Sequence, residues 1–173
     1  MRVRLWPCIF LLACTSILAY AEDDIVRHPA CLHCGMDREA FNYSRMLVEY
    51  TDGTSAGTCS LHCTVLELTS NISKVPCTVS VADFESKRLI DAYAAYWVVG
   101  GDKQGVMTQR AKWAFQKESD AGAFIRTNRG EQATFFDALR AAFEDLYGEV
   151  KATLERTKMR REKGFDPCTG KKR

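Results

Sequence analysis

Two cysteine pairs constrain this chain more than any other feature, Cys31-Leu32-His33-Cys34 and Cys59-Ser60-Leu61-His62-Cys63. A C-x-x-C turn brings two sulfurs close enough to share one metal ion, and Gly35 lets the backbone bend around them. Thiols at i and i+4 lie on one face when their segment opens a helix. The four thiols can therefore converge. Between the pairs, the runs Arg45 to Tyr50 and Thr54 to Cys59 flank Thr51-Asp52-Gly53; an Asp-Gly pair so placed signals a β-hairpin.

Hydrophobic periodicity extends the pattern. Ser60 to Asn71, with Leu61, Val65, Leu66 and Leu68, reads as a helix of about three turns. Cys77, Val79 and Val81 then alternate with Thr78, Ser80 and Ala82, which predicts a strand with one buried face and makes Cys77 a core thiol. The same order recurs: Ala95 to Val99 and Lys112 to Phe115 read as strands. Ser119 is placed to cap a helix to about Asn128, Gly130 to stop it, and Gln132 to Phe135 to resume strand character. The expected fold is α+β, with two small ββαβ units packed together over residues 22–84 and 85–135, the cysteine cluster lying in the first. A C-terminal amphipathic helix is expected over 136–157. Its residues Phe136, Leu139, Phe143, Leu146, Tyr147, Val150 and Leu154 recur at spacings of three and four, and that face is expected to dock on the body. A basic tail occupies 158–173.

The balance of 24 Lys+Arg against 22 Asp+Glu in 173 residues argues against a general nucleic-acid binder and fits one compact domain or two small subdomains. Arg2 and Arg4, a short apolar run to Ala19 and the sequence Ala19-Tyr20-Ala21 describe a secretory signal over 1–21, removed on export to the bacterial periplasm. Leu11-Leu12-Ala13-Cys14 also resembles a lipidation signal, so a form lipid-anchored at Cys14 is the alternative. Outside the cytoplasm thiols tend to oxidise unless paired or metal-bound. The exported chain keeps Cys31, Cys34, Cys59, Cys63, Cys77 and Cys168. Residues 151–173 hold nine basic and three acidic side chains, which suits a solvated tail, or contact with an acidic partner or anionic lipid.

Several chemistries compete for the four clustered thiols. They supply the ligand number of a structural Zn2+ site, or two disulfide staples. Cys31 and Cys34 alone suggest a thiol–disulfide oxidoreductase, although Gly35 disfavours the helix start such motifs use. A c-type haem is excluded, because no C-x-x-C is followed by His. Met36 favours Cu(I), since thiolate and thioether sulfur select that soft ion. His33 and His62 are candidates to complete or tune the site, and surface residues otherwise.

The strings Cys31-Leu32-His33-Cys34-Gly35-Met36, Gly57 to Cys63, Leu89-Ile90-Asp91-Ala92 with Tyr96 to Gly100, and Gly105-Val106-Met107-Thr108 together resemble the NosL family. The resemblance covers roughly Cys31 to Phe136. It implies an exported, often lipid-anchored, monomeric Cu(I)-binding chaperone associated with nitrous oxide reductase maturation, built from two ββαβ units and related in structure to organomercurial lyases. It carries metal binding to Cys31, Cys34 and Met36, and a second soft ligand to Met107. Gln109 stands where some members carry His. The expected activity is non-enzymatic: a carrier that holds Cu(I) and hands it to a copper-dependent apo-enzyme, with Cys59 and Cys63 as the next candidate ligands.

Overall fold

Two all-antiparallel sheets repeat one topology, and the repeat explains where the cysteines go. The computed structural model describes residues 23–166 and 168–172; the expected signal segment, with Cys14, lies outside them. A four-residue helix, α1 (Asp24–Arg27), is capped by the Asp23 side chain, which accepts from the Ile25 N–H. The expected hairpin follows as β1 (Met46–Tyr50) and β2 (Ser55–Thr58), paired antiparallel, with Gly53 at φ +83° in the turn. Only a residue without a Cβ takes that conformation freely. Helix α2 (Leu61–Ser70) crosses back, and β3 (Pro76–Ala82) pairs on the far side of β1. A short β4 (Leu89–Asp91), which the sequence pattern did not mark, adds to β3 and gives the order β2-β1-β3-β4.

The second sheet repeats the plan. β5 (Tyr96–Val99) lies between β6 (Lys112–Phe115) and, after α3 (Glu118–Asn128), β7 (Glu131–Ala133), in the order β6-β5-β7. The sheets are joined where Phe84 N–H donates to Ala114 O at 2.8 Å and Gln116 N–H donates to the Asp83 carboxylate at 2.8 Å. The long helix α4 (Phe135–Glu162) opens on a capping box between Thr134 and Asp137 and runs into the segment expected as tail. The molecule is thus α+β, with two ββαβ arrangements and a C-terminal helix.

Two apolar clusters hold it together. One joins Met46, Val48 and Val81 of the first sheet to Val65 of α2, Trp97 of β5 and Phe135, Ala138 and Ala142 of α4. The other gathers Val98, Trp113, Phe115 and Phe124 around Phe84, and Cys31, Cys59 and Cys63 belong to it. The Phe84 ring centroid lies 5.3, 5.6 and 5.1 Å from those of Trp113, Phe115 and Phe124. The thiols therefore sit on the aromatic core that the second sheet contributes.

Three expectations are corrected. Cys77 is exposed, not a core thiol. The ladder steps from Glu49↔Thr78 to Tyr50↔Pro76, and this bulge leaves Cys77 outside the alternation that buries Val79 and Val81. Ser119 does not cap α3: the helix starts two residues earlier than such a cap implies, with Lys117 as a cap that makes no side-chain hydrogen bond. Finally, α4 docks by Phe135, Ala138, Ala141 and Ala142, with Leu139 and Leu146 partly buried, while Phe136, Phe143, Tyr147, Val150 and Leu154 face outward. Small alanines let the helix approach the sheet closely, so the bulky stripe turns away.

Candidate metal centre

The first cysteine pair lies in a tight turn closed by a bridge between Ala30 and Asp37. Inside it, Cys31 N–H donates to Met36 O at 2.8 Å and Gly35 N–H to Cys31 O at 2.9 Å, with Gly35 at φ +74°. Leu32 N–H donates to Gly57 O at 3.1 Å and ties this turn to β2. Gly57 permits the approach: a Cβ there would meet His28 Cβ at 2.5 Å and Arg38 Nη1 at 2.7 Å. Such a turn is not the first turn of a helix, the setting in which a thiol–disulfide exchanger usually places its C-x-x-C pair.

Arg38 locks the far end of the turn. Fully buried at 0% exposure, it donates to Thr58 O, Asp24 O, His28 O, Met46 O and the Asp24 carboxylate at 2.6–3.1 Å. Arg45 adds a second contact to Asp24 at 2.9 Å. Burial alone would raise the Asp24 carboxyl, but the hydrogen bonds and charges of Arg45 and Arg38 outweigh it and hold the group below its usual 3.8.

The second pair is placed by the junction of β2 and α2. β2 ends at Thr58, Ser60 is the extended cap, and Cys63 falls in the first turn of α2. Ser44 Oγ donates to Cys59 O at 2.8 Å and fixes that corner. The Sγ atoms of Cys31, Cys34, Cys59 and Cys63 consequently lie within 4.8 Å of one another. Cys34 and Cys59 are 3.5 Å apart and Cys59 and Cys63 3.7 Å, as free thiols. Cys34 is half-buried; the other three are buried.

The electrostatics of the cluster single out one sulfur. Hydrogen bonds from the Cys59 and Cys63 thiols, helped by the backbone N–H groups of Cys34 and His33, push Cys31 far down against the opposing effect of burial. Those same hydrogen bonds to Cys31 raise Cys59 to about 12 and push Cys63 higher still, and burial adds to both.

Sequence reasoning missed the group that clamps the turn onto α2. Glu67, 3% exposed, takes His33 Nε2 on Oε2 at 2.9 Å and accepts from Tyr50 OH at 2.8 Å and Asn71 Nδ2 at 2.9 Å on Oε1. Burial and the Glu67 carboxylate hold the Tyr50 hydroxyl well above its usual range. A signal for Glu67 was present, since it lies one helical turn after Cys63 on the same face. No comparable signal marks Arg38.

Met36 is half-buried against the apolar cluster that holds the cysteines. Met107 is 41% exposed at φ +60° on the loop before β6, and its neighbour Val106 packs into the same cluster. His62 is buried beside Cys63; its Nδ1 has no hydrogen-bond partner and its Nε2 lies 3.9 Å from Glu149 of α4. Cys168 is exposed near the C-terminus.

Four sulfurs at the ordinary Zn–S length have edges of about 3.8 Å. Two edges of this cluster are already near that spacing, so the donor set fits one soft thiophilic cation.

The crystal structure of the copper chaperone NosL from Shewanella denitrificans is similar, with a TM-score of 0.49 and 24% identity over 61% of this chain and 86% of that one. No curated protein sequence matches the chain. The NosL family model matches residues 24–143, well over half the chain and all of the cysteine site, and the chain therefore belongs to the NosL family.

Proposed function

We propose that this protein is a non-enzymatic metal carrier that holds Cu(I) at the four-cysteine cluster and passes it to a copper-dependent apo-enzyme outside the cytoplasm. The observation that carries this reading is the convergence of four sulfurs within 4.8 Å, three of them buried and one half-exposed. Thiolates favour a soft monovalent ion, and Met36, half-buried against the apolar cluster that includes three of the cysteines, supports that preference over Zn2+. Cys34 is the side from which an acceptor thiol, imidazole or thioether reaches the ion. Each incoming ligand displaces one sulfur in turn, so the cargo is never released to water. Membership of the NosL family, whose resemblance implies a part in nitrous oxide reductase maturation, supports nitrous oxide reductase or its assembly machinery as the acceptor. The signal-like residues 1–21 support export, with attachment through Cys14 as the lipidated form.

Competition between Cu(I) and Zn(II) chelators on the reduced protein tests the assignment. Cu(I) is expected to bind as one ion per chain and to be transferred to apo-nitrous oxide reductase faster than it dissociates. Failure to bind Cu(I) overturns the reading. The closed set of four sulfurs supports one rival, a structural Zn2+ site; under that reading chelation unfolds the chain, whereas a carrier stays folded when emptied.

A further inference from the structure

A helix that has buried one apolar face ordinarily shows a polar face to water. α4 instead shows a second apolar face, on Phe136, Phe143, Tyr147, Val150 and Leu154. At about 100° per residue their steps of seven, four, three and four keep all five within an arc of about 60° over about 27 Å of helix. Phe136 is 67% exposed and Tyr147 68%. Tyr93, also exposed, packs edge-on against Phe136 at 5.8 Å and continues the stripe onto the body.

The residues beside the stripe are cationic. Arg140, Lys151 and Lys158 flank it and Arg161 follows it in line, all exposed, within about 70° of its midline on the same helical wheel. The acids Glu144, Glu155 and Glu162 lie further round, as i+4 partners at 4.0, 4.0 and 3.9 Å. Residues 151–173 as a whole carry nine basic and three acidic side chains. An apolar stripe with a cationic flank is the arrangement of a helix lying in a lipid interface, where long cationic stems reach the headgroups. No helix among the described residues is long and apolar enough to cross a membrane.

We propose that the outward stripe of α4 docks flat on the surface of an anionic lipid bilayer. Charge decides for this occupant, because residues 151–173, which carry the end of the stripe at Leu154 and continue beyond it, are about six units positive and attract an anionic surface. Residue type decides against a second copy: helix seams favour Leu, Ile and Val knobs, whereas Tyr147 and Tyr93 are of the type enriched at membrane interfaces, and Phe136 and Phe143 suit the apolar face of an interfacial helix. Most of the surface lies beyond residue 143, where the family match ends, and it involves none of the cysteines.

Co-sedimentation of the chain from Glu22 onward, which keeps every contact described above, is the test. Binding is expected to vesicles of phosphatidylcholine containing phosphatidylglycerol, to be about tenfold weaker on phosphatidylcholine alone, and to fall with salt. Phe143→Asp with Tyr147→Asp, and separately Lys151→Glu with Lys158→Glu, are each expected to weaken it at least about tenfold with circular dichroism and melting midpoint unchanged. Absence of binding to the anionic vesicles, or equal binding by the variants, overturns the proposal. So does a concentration-dependent dimer, seen by analytical ultracentrifugation, that the Asp variants dissolve.

Discussion

At the scale of single residues the site depends on groups that never touch an ion. Arg38 spends its whole guanidinium on four carbonyls and Asp24, so Arg38→Met leaves several buried carbonyls without donors and Asp24 with Arg45 as its remaining partner. A loss of about 3–5 kcal/mol is expected in urea unfolding. Asp24 also sets an acid limit. Because its folded value lies below the usual 3.8, its stabilising effect is complete above that value and is lost as pH falls through the lowered one. The midpoint of thermal unfolding is expected to drop in this acid range, and an Asp24→Asn chain, less stable at neutral pH, to lose that part of the dependence. Glu67→Ala strands Tyr50 OH and His33 Nε2; a cost of about 1–3 kcal/mol is expected, read by the same unfolding experiment.

Among elements, the decisive meeting is between the C-x-x-C turn and the start of α2. The turn supplies the half-exposed sulfur, Cys34, and the helix supplies a buried one, Cys63. Their serine variants are therefore expected to separate two properties. Cys63→Ser removes an interior donor and lowers Cu(I) affinity; Cys34→Ser slows transfer to an acceptor more than it lowers affinity. Competition titration measures the first and stopped-flow transfer the second. The junction also tolerates little bulk. Gly57→Ala places a methyl 2.5 Å from His28 Cβ, and the turn is expected to lift from β2, reducing stability and metal affinity together.

Across the whole molecule, metal and fold are coupled because the thiols are part of a hydrophobic core. Cys31, Cys59 and Cys63 pack in one cluster with Trp113, Phe115 and Phe124, so an ion held there engages both sheets. Loading is expected to raise the unfolding midpoint by the linkage relation, about 2.7 kcal/mol at a free concentration one hundred times Kd. Phe124→Ala, which hollows the same core, is expected to cost about 3–5 kcal/mol and to blunt that increment; calorimetry with and without Cu(I) reads both.

What the linear chain determined is local. Asp52-Gly53 specified its hairpin, Lys112 to Phe115 formed the strand their pattern implied, and the 3.6-residue rhythm after Ser60 yielded α2. These follow from turn chemistry and side-chain periodicity within a few residues. The identity of four sulfur donors was equally readable. Tertiary structure alone decided the rest. It brought two cysteine pairs 25 residues apart onto one point, ejected Cys77 through a bulge set by its partner strand, and chose Phe135 and three alanines, not the bulky stripe, as the buried face of α4. Each of those outcomes depends on how closely a second surface approaches, a distance that no rhythm along one segment encodes.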